Sequence, residues 1–275
     1  MTFLELNKNI KEKYSNKAVN SAIIFYLSSK VKNGKDMLIH LKEEIDFNFS
    51  DFNKLLDEYY LDHKPLGQII HQANFLGNEF IVDPMVHVPR NDTEYWVENL
   101  HAFLLLEFNY HELLDLCAGS GNIGISIKKN FPYLNLTSLD IDISAVNNIK
   151  KNLKKFHLDA NVIHDDLFNW IKTNQKKFDV IVMNPPYVPI NELDEELIKY
   201  ENKISFNNSN DPLAFYKLVV ENLKKITNEH FVFACEFGYN QKNELKKIID
   251  HYGYGDYTKF FKDLSNQDRY FIIKK

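Results

Sequence analysis

Beyond Pro89, short apolar runs alternate with longer amphipathic ones up to the C-terminus, and this alternation constrains the fold more tightly than any other feature of the chain. Residues 112–117, 134–140, 162–164, 178–183 and 230–236 read as strands, while residues 122–131, 144–156, 213–226 and 239–252 carry apolar positions at helical spacing. Strand and helix in turn imply an α/β fold: a doubly wound, mostly parallel sheet with a ligand crevice at the carboxyl ends of its strands. The last two apolar runs, 257–262 and 269–273, are separated by a short connection and suit an antiparallel hairpin at the sheet edge.

Residues 4–70 have a different texture. Ile23, Ile24, Leu27 and Val31, and again Phe52, Leu55, Leu56 and Tyr59, recur at helical spacing, so a small helical bundle is expected, with breaks near Asn33-Gly34 and before Pro65. Residues 74–88 place short apolar runs around Gly77-Asn78 and Asp83-Pro84, the pattern of a β-hairpin. The expected division is therefore a helical bundle over 1–72, a hairpin linker over 73–88 and the α/β domain over 89–275. A chain of 275 residues can hold such a pair, and 44% hydrophobic with 14% aromatic residues supports packed cores.

Charge and composition remove several partners. A net charge of −5 supplies no general positive field for a phosphate backbone, so no stable nucleic-acid binding is expected. Nothing reaches the apolar length of a membrane span and the N-terminus lacks a secretory pattern, so a cytoplasmic protein with no membrane partner is expected; a monomer is expected too, though no sequence feature sets the oligomeric state. Cys117 and Cys235 have neither a disulfide framework nor metal-ligand spacing, and both are expected as small, reduced, buried side chains. Of the 33 basic residues only Arg90 and Arg269 are arginine, which marks them for roles needing a planar fork; chance survival is the plain alternative.

The segment Asp115-Leu116-Cys117-Ala118-Gly119-Ser120-Gly121 leaves one expected strand and enters a helix. Its glycines permit a tight turn and close approach of a ligand, and the helix start offers free N–H groups, as at a nucleotide-type site. Gly119, Gly121 and Gly124 also meet the dinucleotide spacing, so a nicotinamide or flavin enzyme stays open on this evidence. Asp140 ends the second strand and is the better acid for ribose hydroxyls; Asp142 lies nearer Ser144, an expected helix cap. After the third strand, Asp165 or Asp166 can accept from an exocyclic adenine amine, with Leu167 or Phe168 packing on the ring.

The decisive segment is Asn184-Pro185-Pro186-Tyr187, where a buried strand ends in two prolines over the crevice. The Asn184 amide oxygen and the Pro185 carbonyl can both accept from one planar NH₂ group, and Tyr187 can stack on the flat group carrying it. Such a clamp fits an amide or aromatic amine aimed at an activated methyl. An amide nitrogen is a poor nucleophile, so alignment and polarisation by acceptors must replace basicity. The motif itself contains no base that titrates near neutrality.

With these residues in place, the chain resembles the protein-(glutamine-N5) methyltransferases of peptide-chain release factors, the HemK/PrmC type, from about Pro65 onward. Pro65-Leu66-Gly67 with Phe75, Gly77 and Phe80 is similar to the family's linker, and Pro89-Arg90-Asn91-Asp92-Thr93-Glu94 to its Pro-Arg-x-acidic-Thr-Glu signature. Asp115 to Gly121 resembles the cofactor loop, Asp140 the ribose acid, Asp166-Leu167-Phe168 the adenine side, Asn184 to Tyr187 the substrate clamp, and 206–216 and 263–270 later motifs. The resemblance implies a Rossmann-like class I methyltransferase domain, S-adenosylmethionine as cofactor, and methylation of the glutamine in a release factor's Gly-Gly-Gln motif. It also implies a helical domain that helps hold the release factor, and a place near the reaction for Arg90 and Glu94, whose plain alternative is a surface salt bridge.

Two substitutions depart from the family pattern: Cys117 stands where many methyltransferases have the first loop glycine, which ordinary torsions would tolerate, and Asn91 replaces a proline. The first 60 or so residues match only in being helical. Rival readings are a glutamine of a ribosomal protein, adenine-N6 methylation of nucleic acid, the dinucleotide oxidoreductase, and a module that binds without turnover.

Overall fold

The structure, a computed structural model, describes residues 2–14, 20–31, 48–105, 109–188, 199, 200, 202 and 211–275. The expected helix break at Asn33-Gly34 and most of the 206–216 motif lie outside the described residues. Two compact units emerge, one formed by the described residues up to His71 with Lys199 and Tyr200, the other by the rest, including the hairpin.

The first unit contains helices α1 (Phe3–Lys13), α2 (Ser21–Ser28), α3 (Phe49–Tyr60) and α4 (Leu66–Ile70). Thr2 caps α1 in a reciprocal box with Glu5, and the Asn48 side chain caps α3. Of the periodic positions, Ile24, Leu27, Phe52 and Leu56 are fully buried, Ile23, Val31, Leu55 and Tyr59 pack partly buried against them, and Leu6, Ile10 and Tyr60 join the same core. Each such burial contributes roughly 1.5–3 kcal/mol before chain entropy is set against it.

The second unit opens with strands β1 (Gln72–Phe75) and β2 (Asn78–Ile81), antiparallel across Leu76-Gly77. Both turn residues have positive φ, 48° and 69°, the requirement of a type I′ hairpin turn. Helix α5 (Asn91–Leu104), whose pattern sequence reading passed over, follows. Then come β3 (Glu112–Leu116), α6 (Asn122–Asn130), β4 (Asn135–Asp140), α7 (Ile143–Phe156), β5 (Asn161–His164), α8 (Leu167–Thr173) and β6 (Phe178–Met183). The chain closes with α9 (Ala214–Ile226), β7 (Thr227–Glu236), α10 (Lys242–His251), β8 (Thr258–Lys262) and β9 (Asp268–Lys274).

The seven strands order as β5-β4-β3-β6-β7-β9-β8, parallel up to β7, with β9 antiparallel to both β7 and β8. Side-chain alternation along each strand separates two cores. Leu113, Val180, Val182, Val232 and Ile272 face one layer of helices, and Leu114, Leu116, Ile181, Met183, Phe233 and Ile273 face the other. Strand β6 is buried at every position, as a central parallel strand covered on both faces must be. Strand order reverses between β3 and β6, so the crevice opens where the turns after these two strands diverge.

Two expectations are corrected. Ser144 is not the cap of α7; Asp142 is, accepting the Ser144 N–H at 2.9 Å. Cys117 is half-buried rather than buried, and it does not have ordinary torsions: its φ of 56° is left-handed. A side chain there carries steric strain of roughly 1–2 kcal/mol. The turn from β3 into α6 thus has three left-handed residues, Cys117, Gly119 and Gly121.

Candidate active site

At the carboxyl edge the register brings the expected site residues side by side. Leu116 pairs with Leu139 on one flank and Met183 on the other, and Met183 pairs with Cys235, so Asp140, Cys117, Asn184 and Glu236 end neighbouring strands.

The loop after β3 is fixed by main-chain donors meeting carboxylates. Gly119 donates to Asp140 Oδ2 at 2.8 Å and Asp142 to Asp140 Oδ1 at 2.9 Å; Gly124 donates to Asp115 Oδ2 at 2.9 Å. Burial pushes Asp140 above the usual carboxylate range against the pull of these donors, and burial pushes Asp115 up to about 7. Asp115 Oδ1 is buried and meets no donor among the described residues. The Cys117 thiol is pushed well up by burial, then by Asp140, Asp115 and Asp166, so three carboxylates converge on this turn. Ala118 and Ser120 line the same turn, and a Cβ at Gly119 would meet nothing within 4 Å, leaving the backbone open to a ligand. Asp140 beside an open glycine turn suits a ligand that carries ribose hydroxyls.

Two asparagines that sequence reading passed over brace this loop from behind. Asn148 and Asn152, one turn apart on α7 and fully buried, donate to Ser120 O at 3.4 and 2.9 Å and to Ile81 O at 2.9 Å. Their carbonyls take the N–H groups of Asp83 at 2.6 Å and Ile81 at 2.7 Å. Their helical spacing within an apolar stripe was the available signal.

On the far flank, Asp166 caps α8 by accepting the Phe168 N–H at 2.8 Å, and Asp165 accepts the Asp166 N–H at 2.8 Å. Leu167 is buried in the core, whereas Phe168 is half-buried with an edge-on contact to Phe215. Asp142 is engaged as the α7 cap and holds Asn202 at 3.0 Å. Ile141, between the two acids, exposes 42% of its surface at the crevice edge and was not singled out from sequence.

Past β6, Pro185 is buried and Asn184 is half-buried, its Nδ2 directed at Thr93 Oγ1 at 3.4 Å. Tyr187 turns its hydroxyl onto Glu236 Oε1 at 2.9 Å. Burial, and then the Glu236 carboxylate, push this phenol well up, while Arg269 and Arg90 pull it down. Glu236 Oε2 accepts from Thr93 Oγ1 at 2.6 Å and Trp96 Nε1 at 2.8 Å. Gln241 donates to the Tyr187 carbonyl at 3.5 Å and accepts from Gly238 N–H at 2.9 Å. An acid ending the apolar run 231–235 within β7 was the signal for Glu236.

Arg90 sits at the N-cap of α5 with its side chain exposed, and Arg269 is held by Asp263 at 3.0 Å. Glu94 forms no ion pair with Arg90 among the described residues; its Oε1 accepts the N–H of left-handed Leu76 at 2.9 Å and holds the hairpin turn.

Comparison with known proteins agrees with this architecture. Residues 93–200 match the family model described as methyltransferase small domain. The T. thermophilus 16S rRNA N2 G1207 methyltransferase, solved with AdoMet and guanosine, superposes with a TM-score of 0.52 at 17% identity, covering 74% of this chain and 49% of that one. The fold is that of the class I methyltransferases. A release factor glutamine methyltransferase of Clostridium botulinum is 31% identical over 86% of this chain and 83% of its own length. A bifunctional methyltransferase of Rickettsia prowazekii is 33% identical over 85% of this chain but only 49% of its own length, so the chain spans about half of that relative. The chain belongs to the release factor glutamine methyltransferase family.

Proposed function

We propose that the chain transfers a methyl group from S-adenosylmethionine to the side-chain N5 of the glutamine in the Gly-Gly-Gln motif of peptide-chain release factors. The single observation that carries this reading is the placement of Asn184 beside the Gly119 turn, on the adjacent parallel strand tip. The cofactor, when bound, supplies an electrophilic methyl on a cationic sulphur.

Asp140 would take the ribose hydroxyls, with Asp115, Cys117, Ala118, Gly119, Ser120 and Gly121 forming the cradle. Asp166 and Phe168 would border the adenine, with Leu167 packed behind them in the core. Asn184 Oδ1 and the Pro185 carbonyl accept from the substrate NH₂, and Pro186 keeps the turn rigid with no competing N–H. Acceptors on both hydrogens align the nitrogen lone pair and raise its electron density, which is the form of catalysis open to an amide that cannot be deprotonated near neutrality. Tyr187, its hydroxyl anchored on Glu236, presents a ring face to the flat amide. Arg90, exposed at the start of α5, is assigned to the substrate protein. Glu94 is assigned to the same rim through the hairpin turn it holds.

Labelled S-adenosylmethionine incubated with the chain and purified release factor should label that glutamine, and duplex or single-stranded DNA should stay unlabelled. Labelling of DNA or of ribosomal protein alone would overturn the assignment.

A further inference from the structure

We infer that Thr93 and Glu236 are positioning residues that dictate which way the Asn184 amide faces, an inference that rests on the methyl-transfer reading above. Glu236 is buried, and among the described residues the three side chains hydrogen-bonded to its carboxylate are all donors: Thr93 and Trp96 to Oε2, Tyr187 to Oε1. The single Thr93 hydroxyl hydrogen is therefore directed at Glu236, and only lone pairs of Oγ1 remain for Asn184. A lone pair can be met by the NH₂ side of an amide and not by its oxygen, which is the arrangement found, with Nδ2 at 3.4 Å.

The consequence lies on the other side of the same amide. Asn184 Oδ1 is turned away from Thr93 and meets no donor among the described residues. An incoming NH₂ therefore faces an acceptor. With the amide reversed, Oδ1 would oppose Thr93 lone pairs, and a second NH₂ would oppose the substrate's own. The chain thus selects an amide or amine nitrogen over a carbonyl or carboxylate oxygen through residues that touch no substrate. One carboxylate serves both ends of the clamp, because Glu236 holds Thr93 behind Asn184 and also anchors the Tyr187 hydroxyl.

The test compares wild type, Thr93→Ser, Thr93→Val and Glu236→Gln in steady-state methyl transfer to release factor, with S-adenosylmethionine affinity measured by calorimetry. Thr93→Val keeps the shape and removes the hydroxyl, so kcat should fall roughly tenfold, the loss of one oriented hydrogen bond at the reacting group. S-adenosylmethionine affinity should stay within about twofold, since the cofactor cradle follows β3 and does not meet this amide, while KM for release factor should move less than kcat because contacts beyond the amide, such as that assigned to Arg90, also hold it. Thr93→Ser restores the hydroxyl and should recover most of kcat, which a purely structural role for the methyl group would not produce. Glu236→Gln keeps one acceptor oxygen and sets an NH₂ in place of the other, so either Thr93 or Tyr187 loses its acceptor and kcat should fall; should it fail to fold, the Thr93 pair decides alone. Wild type that methylates no glutamine would overturn the underlying reading together with this inference. Wild-type turnover with Thr93→Val equally fast, or with Thr93→Ser as slow as Thr93→Val, overturns the inference alone.

Discussion

The turn after β3 and the turn after β6 sit side by side at the same sheet edge, yet they are held by different means. After β3 the main chain supplies the donors: Gly119, Gly124 and Asp142 N–H groups meet the carboxylates of Asp140 and Asp115. After β6 two prolines leave no N–H groups to use, so side chains do the holding, through Thr93, Glu236 and Gln241. A backbone-held turn depends on glycine geometry and on acids a strand away. A turn held by side chains depends on residues brought together only by folding, such as Thr93 and Glu236, 143 positions apart.

If the two turns are separately supported, they should fail separately. Asn184→Ala removes the clamp's acceptor and leaves the glycine turn untouched. Methyl transfer should fall by roughly 10²–10³, the range for losing one oriented group at a reacting centre. S-adenosylmethionine affinity, read by calorimetry, should hardly change, and a parallel loss of both would break the distinction. Gly124→Ala acts on the other side. A Cβ there would lie 2.7 Å from Asp115 Oδ2 and 2.8 Å from Leu136 Cδ1, inside any real contact distance. Overpacking of this kind costs about 1–3 kcal/mol, visible as a lower urea midpoint, and cofactor affinity should drop with it.

The buried acid beneath the glycine turn gives a pH signature that the clamp lacks. Burial first, opposed by the Gly124 N–H and aided by Asp140, raises the Asp115 carboxyl from 3.8 to about 7. The folded chain therefore holds this proton more tightly than the unfolded chain. The stability it contributes is complete below pH 3.8 and is lost as pH rises through about 7. Asp115→Asn keeps an acceptor for Gly124 and cannot ionise. Its stability relative to wild type should rise from pH 5 to pH 8, by on the order of 1–3 kcal/mol in urea denaturation. A flat difference across that window would mean the acid is ionised throughout.

The same contrast explains what could be read from sequence. The parallel sheet and its order of elements follow from alternation of apolar runs, because a strand covered on both faces has little freedom of composition; β6 was legible to its ends. Asp140, Gly119 and Asn184 stand at strand tips for the same reason. Helix α5 was less legible although Trp96, Val97, Leu100 and Leu104 are buried at helical spacing, because no side chain caps its start and its first turn is a polar run. Asn148 and Asn152 escaped because a polar residue in an apolar stripe reads as exposed until its partners, the Ile81 and Ser120 carbonyls, are brought to it. Glu236 is the sharper case, since a buried acid makes sense only once three donors from elsewhere surround it.

Cys117 is the residue at which the β3 turn departs from its own rule, and it supplies the finest test. Its φ of 56° would suit glycine, and the carbonyl–Cβ crowding of that conformation is present in every folded molecule. Cys117→Gly removes the crowding. It also frees the unfolded chain, which returns part of the gain, and gives up the thiol's packing against the neighbouring core. The balance should be a stabilisation of roughly 0.5–1 kcal/mol, seen as a melting temperature higher by about 1–4 °C. A variant less stable than wild type would show that the thiol's contacts with the core outweigh the strain, and that side chains carry the β3 turn as they carry the turn after β6.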